Sequence, residues 1–285
     1  MRDNKNPPLR LAVCFFGLAY GFGRATRYDS PERSRMRKVY CLAELQSIKR
    51  AVYANHDCDV FFHAWVDNEK TKENMISKLK PKAYIGEKQI LFDEDAKVND
   101  PNLFTVVPGP KTLRHATLSQ TYSRTRSLEL AFKTMKEENI EYDFIIALRN
   151  DLIFETGLRL PELKKNVLYV PNDPMARTGS PADFFFLGSP SAMKHLLGVE
   201  DHLRKEIATG MWNHDALIKE KFRRPEPMLE RYYRSHSDLK VVKLDGDLDY
   251  RTGFWLVREH FKSAVIREQK KLKAQGKWKK SKKVK

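Results

Sequence analysis

The 285-residue chain has little cysteine: Cys14, Cys41 and Cys58 are an odd number with no metal-ligand spacing. That excludes a disulfide framework and a cysteine-rich zinc site, and it fits a reducing compartment. Cys14 and Cys58 lie inside apolar runs, where cysteine packs as a small hydrophobe. Long apolar runs are missing too. No stretch approaches the ~18 residues a membrane span needs, and a mean hydropathy of −0.60 argues against a membrane-embedded chain. Arg2, Lys5 and Arg10 before the apolar run Leu11–Phe22 imitate a signal peptide, but Gly17, Gly21 and Gly23 interrupt the run and no small-x-small cleavage site follows. The expectation is a cytoplasmic protein, at most peripheral to a membrane. Internal repeats are also lacking.

Acidic charge is scarce at one end. The net charge is +16, and residues 262–285 carry ten lysines and Arg267 against the single acid Glu268. Ten of the sixteen charges therefore sit in the last 24 residues, leaving a mildly basic body. Such a tail suits an anionic membrane surface or nucleic acid by electrostatics alone, and a solvated disordered tail is the plainer account. The expected organisation is an N-terminal tail at 1–8, one domain at 9–255, and a basic helical or disordered tail at 256–285.

Within the body, apolar runs of strand length alternate with helical spacing. Leu9–Phe16, bounded by Pro7-Pro8 and Gly17, reads as a strand buried on both faces. Val39–Ala54 has helical periodicity, and Asp59–Trp65 is a second buried strand, completing a βαβ unit. A short helix over 71–80 and a less regular strand over Ala83–Phe92 follow. The prolines at 101, 108 and 110 predict an irregular surface loop over 93–116. Leu118–Glu138 reads as a long helix capped by Thr117 or Ser119. Tyr142–Leu148 is the most apolar strand and stops at Arg149. Strands at Val167–Val170 and Asp183–Gly188 and a helix from Ser191 come next. The alternation predicts an α/β fold: a mainly parallel, Rossmann-like sheet with helices on both faces.

Ligands of such sheets gather at the carboxyl ends of strands. Three places there carry chemistry. The first is the loop holding Gly17, Gly21, Gly23, Arg24 and Arg27, whose glycines admit a ligand close to the backbone and whose arginines suit phosphate oxygens. It has neither the G-K-[ST] ending of a P-loop nor the third glycine of a dinucleotide fingerprint, and a flexible β-to-α connection is the bland alternative. The second is Arg149-Asn150-Asp151. Asp151 is a candidate ligand of a divalent ion bridging a diphosphate, and Arg149 either contacts the diphosphate or pairs with Asp151 as a structural ion pair. The third is Asn213-His214-Asp215 before a helical pattern at Ala216–Phe222. Asp215 is a candidate general base, with helix-terminus chemistry as the alternative, and His214 is a weaker base or ligand. Asp245-Gly246-Asp247-Leu248-Asp249 also has cation-ligand spacing, but a turn between short strands accounts for it better. His63 and Trp65 end the second strand, lining a donor pocket or belonging to the core.

The segments LAVCFFGLAYGFGR (11–24), HDCDVFFHAW (56–65), SQTYSRTRSLELAF (119–132), YDFIIALRNDLIF (142–154) and ADFFFLGS (182–189), in this order, resemble a group of GT-A-like glycosyltransferases found in large viruses, phages and polysaccharide gene clusters. The resemblance implies a nucleotide-sugar donor bound by the first strand and its loop, and a glycan or other hydroxyl acceptor. It sets Arg149-Asn150-Asp151 where such enzymes carry D-x-D, with only Asp151 of the acidic pair retained, so Mg²⁺ or Mn²⁺ at Asp151 is an open expectation. By position, Asp183 and His214 would border the acceptor side, and Asp215 would stand near the base of inverting members. The competing classes are a nucleic-acid-binding protein acting through the tail and another nucleotide-dependent Rossmann-like transferase.

Overall fold

The structure, a computed structural model, describes residues 8–19, 45–66, 68–90, 92, 110–150, 152–154, 160, 163–171, 183–209, 226–244, 254–256 and 274. The strands are β1 (Arg10–Leu18), β2 (Asp57–Trp65), β3 (Ala83–Glu87), β4 (Phe144–Arg149), β5 (Leu152–Phe154), β6 (Val167–Pro171), β7 (Phe185–Gly188), β8 (Lys240–Leu244) and β9 (Phe254–Leu256). The helices are α1 (Glu69–Leu79), α2 (Pro110–Glu138), α3 (Pro190–Lys194), α4 (Val199–Ala208) and α5 (Glu226–Arg234), with a π-helical turn at Lys49–Tyr53.

Seven strands form one sheet in the order β3-β2-β1-β4-β7-β6-β8. The first four are parallel, β7 runs antiparallel to both neighbours, and β8 is parallel to β6. The α/β class and the mainly parallel sheet were legible in the sequence; the reversed β7 was not. Its reversal has a simple cause, because an antiparallel neighbour of β6 needs no helical crossover, whereas a parallel one does. β5 and β9 form a separate antiparallel pair, each too short for its alternation to be read in sequence.

The strands are continuous apolar runs because both faces are covered. Leu11, Val13 and Phe15 of β1 and Phe144, Ile146 and Leu148 of β4 pack with Ile48, Val52, Met75 and Leu79 on one side. Ala12, Cys14 and Phe16, with Ile145 and Ala147, pack on the other with Leu118 and Leu128 of α2, Leu203 of α4 and Leu229 of α5. α1 starts on an Asn68 cap, whose side chain accepts from the Thr71 N–H at 3.0 Å, and ends on Lys80 at φ 48°.

Two expectations need correction. α2 begins at Pro110, so residues 110–116 are helix rather than loop; proline is tolerated in a first helical turn, where its missing N–H costs nothing. Thr117 and Ser119 are accordingly buried interior residues and not caps. The third strand stops at Glu87, five residues short of Phe92, where the apolar alternation weakens at Lys88-Gln89.

The amino-terminal edge of the sheet is closed by matched polar groups. The Tyr142 hydroxyl donates to Asp59 Oδ2 at 2.6 Å, Lys82 Nζ lies 3.4 Å from Asp59 and 2.7 Å from Glu138, and the Arg10 N–H donates to Asp143 Oδ2 at 2.9 Å.

Candidate functional site

The opposite edge is different. β1 leads across to β2 on one side, while β4 lies on the other, so the strand order reverses between β1 and β4. The crevice outside the carboxyl ends of two such strands is where open α/β sheets take ligands. A shallow recess with room for about one water molecule (about 10 Å³) lies there, walled by Phe15, Leu45, Ile48, Leu79, Leu148 and Leu152 and bordered by Arg149 and Asn150. Apolar walls with a few polar groups are the usual make-up of a small-molecule site, but this recess is far smaller than such a site and marks only the inner end of the crevice.

Asn150 joins the two strands. Its Nδ2 donates to the Leu18 carbonyl at 2.7 Å, while its buried Oδ1 has no partner among the described residues. The amide thus uses its donor to hold β1 against β4 and leaves a carbonyl oxygen as acceptor at the border of the recess. Arg149 is half-buried; its backbone N–H donates to the Phe184 carbonyl at 3.0 Å, which ties this strand end to the start of β7.

Gly17, the last turn of β1 before the glycine-rich loop, has φ +105°, a conformation that favours glycine. Its N–H donates to Ser123 Oγ of α2 at 2.7 Å. Ser123 is fully buried and sits 2.8 Å from His63 Nδ1, with the His63 carbonyl a longer alternative at 3.2 Å. On the other side of the ring, His63 Nε2 lies 2.8 Å from Glu87 Oε1. A carboxylate oxygen only accepts, so the proton of a neutral ring belongs on Nε2 and Nδ1 accepts from the Ser123 hydroxyl. Burial pulls the His63 pKa below its ordinary value, against the opposing pull of the Glu87 bond. The carboxyl ends of β1, β2 and β3 are therefore linked in series through one helix: Gly17, Ser123, His63, Glu87.

Of the residues singled out in sequence, Gly17, His63, Arg149 and Asp183 come to this one edge. His63 is fully buried, so it reaches the strand-end surface through Ser123 and Gly17. Asp183 is half-buried, with its carbonyl accepting from Gln120 Nε2 of α2 at 2.7 Å. Trp65 is buried and stacks on Tyr122 with ring centroids 5.4 Å apart. Gly21, Gly23, Arg24, Arg27, Asp151, His214, Asp215, the acidic run 245–249 and the tail 262–285 lie outside the described residues. Among the described residues no three His, Cys, Asp or Glu side chains group as a metal site. At the end of β4 they supply the neutral oxygen Asn150 Oδ1 beside Arg149, groups that suit hydrogen-bonding and phosphate parts of a ligand.

Ser123 and Glu87 were not picked out as site residues in sequence, and Asn150 only as the middle of Arg149-Asn150-Asp151, without a role of its own. Ser123 had a signal of its own: α2 buries Thr117, Ser119, Thr121, Ser123, Thr125 and Ser127, and hydroxyls on a buried helix face need partners. No described helix is long and apolar enough to cross a membrane. No family model matches the chain, and no curated protein matches it in sequence.

Proposed function

We propose that the chain is a glycosyltransferase of GT-A-like arrangement that moves a sugar from a nucleoside-diphosphate donor to a hydroxyl acceptor. The observation that carries this reading is the reversal of strand order between β1 and β4, with Arg149 and the buried Asn150 Oδ1, unmatched among the described residues, at their carboxyl ends. The Asn150 Oδ1 acceptor suits a nucleoside N–H or O–H in the crevice outside these strand ends, and Arg149 stands where the diphosphate would follow. Gly17 begins the loop whose arginines, Arg24 and Arg27, would meet the phosphates.

In the transfer, the acceptor oxygen bonds to the anomeric carbon and the bond from that carbon to the diphosphate oxygen breaks. The diphosphate leaves with the electron pair, its charge met by arginine. The acceptor proton passes to a carboxylate, for which Asp215 is the candidate read from the sequence. Should Mg²⁺ or Mn²⁺ bind through Asp151, it would add charge neutralisation at the diphosphate.

The test is a thermal-shift comparison of UDP-, GDP-, CMP- and dTDP-sugars with NAD(P) and S-adenosylmethionine, each with and without Mn²⁺. One nucleotide-sugar should raise the melting temperature. Asn150→Ala should weaken that ligand by about fivefold to tenfold, the worth of one hydrogen bond of ~1–1.5 kcal/mol. A response to NAD(P) or S-adenosylmethionine with none to any nucleotide-sugar would assign the recess to a different transferase class.

A further inference from the structure

Arg124 of α2 is 1% exposed, on the face of the sheet opposite the recess, with its guanidinium over the Phe186 ring at 4.5 Å from the centroid. Its Nε and Nη2 are buried and have no hydrogen-bond partner among the described residues. An arginine keeps its proton at any ordinary pH, so this is a buried positive charge with two unmatched donors. Those two N–H groups form one edge of the guanidinium and point in parallel, the geometry that receives two oxygens of a carboxylate or phosphate.

The same molecule shows what normally fills that edge. Arg231 gives its Nε and Nη2 to the two oxygens of Glu206, at 2.9 and 2.7 Å. Arg204 gives the same pair to Glu200 Oε1, at 2.9 and 2.7 Å. Glu200 and Glu206 of α4 are therefore committed to other arginines. Asp183 influences Arg124 through space but forms no ion pair with it among the described residues. The Tyr233 hydroxyl, electrostatically coupled to Arg124, is likewise buried without a partner among the described residues. Gln120, one turn before Arg124 on the same helix face, and Asp183 are half-buried, so the rim of this pair lies at the carboxyl edge of the sheet.

We infer that Arg124 and Tyr233 form an oxyanion-binding site, separate from the recess, that takes the carboxylate or phosphate group of a small anionic ligand. The paired Nε–H and Nη2–H of Arg124 hold two oxygens, Tyr233 donates to one of them, and Asp183 at the rim accepts from a hydroxyl carried next to the anion. Hydroxylated anions, such as sugar phosphates and sugar acids, are the matching class. The site does not depend on sugar transfer, because anion binding is read with no donor present.

The experiment is a thermal-shift titration of the full chain with inorganic phosphate, glucose 6-phosphate, glucuronate and glucose, at ionic strength held constant with KCl. The expected result is a saturable rise with at least one anion and none with glucose. A response to the phosphate-bearing probes alone identifies a phosphate, and a response to glucuronate alone a carboxylate. Arg124→Met should weaken that response by about tenfold or more, the worth of a charge-assisted pair of bonds. Should Arg124→Met not fold, Arg124→Lys decides, since it keeps the charge and loses the paired edge. A wild-type chain that responds to no anion beyond the chloride control overturns the site. So does an undiminished response in the variant, which would place the anion elsewhere, the basic tail included.

Discussion

Replacing Ser123 by alanine removes one oxygen from the interior and leaves two polar groups without their partner. The Gly17 N–H loses its acceptor at 2.7 Å and His63 Nδ1 loses its donor at 2.8 Å. A buried group left unsatisfied costs about 1–3 kcal/mol. Gly17 is half-buried and His63 fully buried, so the sum should be about 2–4 kcal/mol, a large part of the ~5–15 kcal/mol a whole protein has. At ~2–4 °C per kcal/mol the melting temperature should fall by roughly 5–15 °C. Ser127→Ala is the matched control. Ser127 is on the same helix and is also fully buried, but its hydroxyl donates at 2.8 Å only to the Arg124 carbonyl one turn back. Loss of such a back-bond costs within about 1 kcal/mol. Urea unfolding of the two variants and the wild type, compared by midpoint at constant slope, measures the difference. If Ser123→Ala costs no more than Ser127→Ala, the series Gly17–Ser123–His63–Glu87 is not holding the strand ends together, and the argument fails.

Two further outcomes follow from groups at the ends of the chain's physical logic. His63 has a folded pKa below its unfolded value near 6.5, so the unfolded chain binds the extra proton first; stability is full above about pH 6.5 and declines as pH falls toward the folded pKa. Melting temperatures from pH 8 to 5 should show this decline, and His63→Gln should flatten it; an equally steep decline in the variant would remove His63 as its source. Deleting residues 262–285, which hold ten of the sixteen net charges, should abolish salt-dependent binding to nucleic acid or anionic vesicles while leaving the melting temperature unchanged. Full affinity retained by the truncated body would exclude tail-driven binding.

The parts of the fold that were legible in the sequence are those where burial writes a pattern. Leu9–Phe16 and Tyr142–Leu148 read as strands because both sheet faces are covered, which makes every side chain apolar. What stayed hidden was set by pairing rather than by burial. Whether Phe185–Gly188 runs with or against β4 depends on how the connection before it returns, and four apolar residues do not encode a direction. The start of α2 was hidden for another reason: Pro101, Pro108 and Pro110 together signal a break, and Pro110 is in fact the beginning of a helix. At the candidate site, the rule that ligands gather at strand ends singled out Gly17, Arg149 and Asp183, which the structure places along one edge of the sheet. It could not find Ser123 or Arg124, because a polar residue inside a helix is read as solvent-facing until tertiary packing shows which neighbours surround it.

The two edges of the sheet differ in how their polar groups are matched, and that difference bears on function more than any single residue. At the amino edge Asp59 serves both Tyr142 and Lys82, and Lys82 also reaches Glu138; the Tyr53 hydroxyl is the exception there. At the carboxyl edge Trp65 Nε1, Gln89 Oε1, Asn150 Oδ1 and two nitrogens of Arg124 are buried without a hydrogen-bond partner among the described residues, as are Thr125 Oγ1, His202 Nε2 and Tyr233 Oη on the helices that cover one face. Folded proteins leave few such groups, so the number of them at this edge needs a cause. Groups held apart by a rigid frame cannot satisfy one another, and the Ser123–His63–Glu87 series together with the Asn150–Leu18 bond supplies that frame. Under the proposed function, these unmatched groups would be preorganised for a ligand, which would gain their full strength because no protein contact must first be broken. Their chemistry also differs by face: a neutral acceptor at the recess on one side, a cation on the other. The β4–β7 junction, where the Arg149 N–H meets the Phe184 carbonyl, separates the two, so ligands held on both faces would approach each other across Arg149 and Asp183.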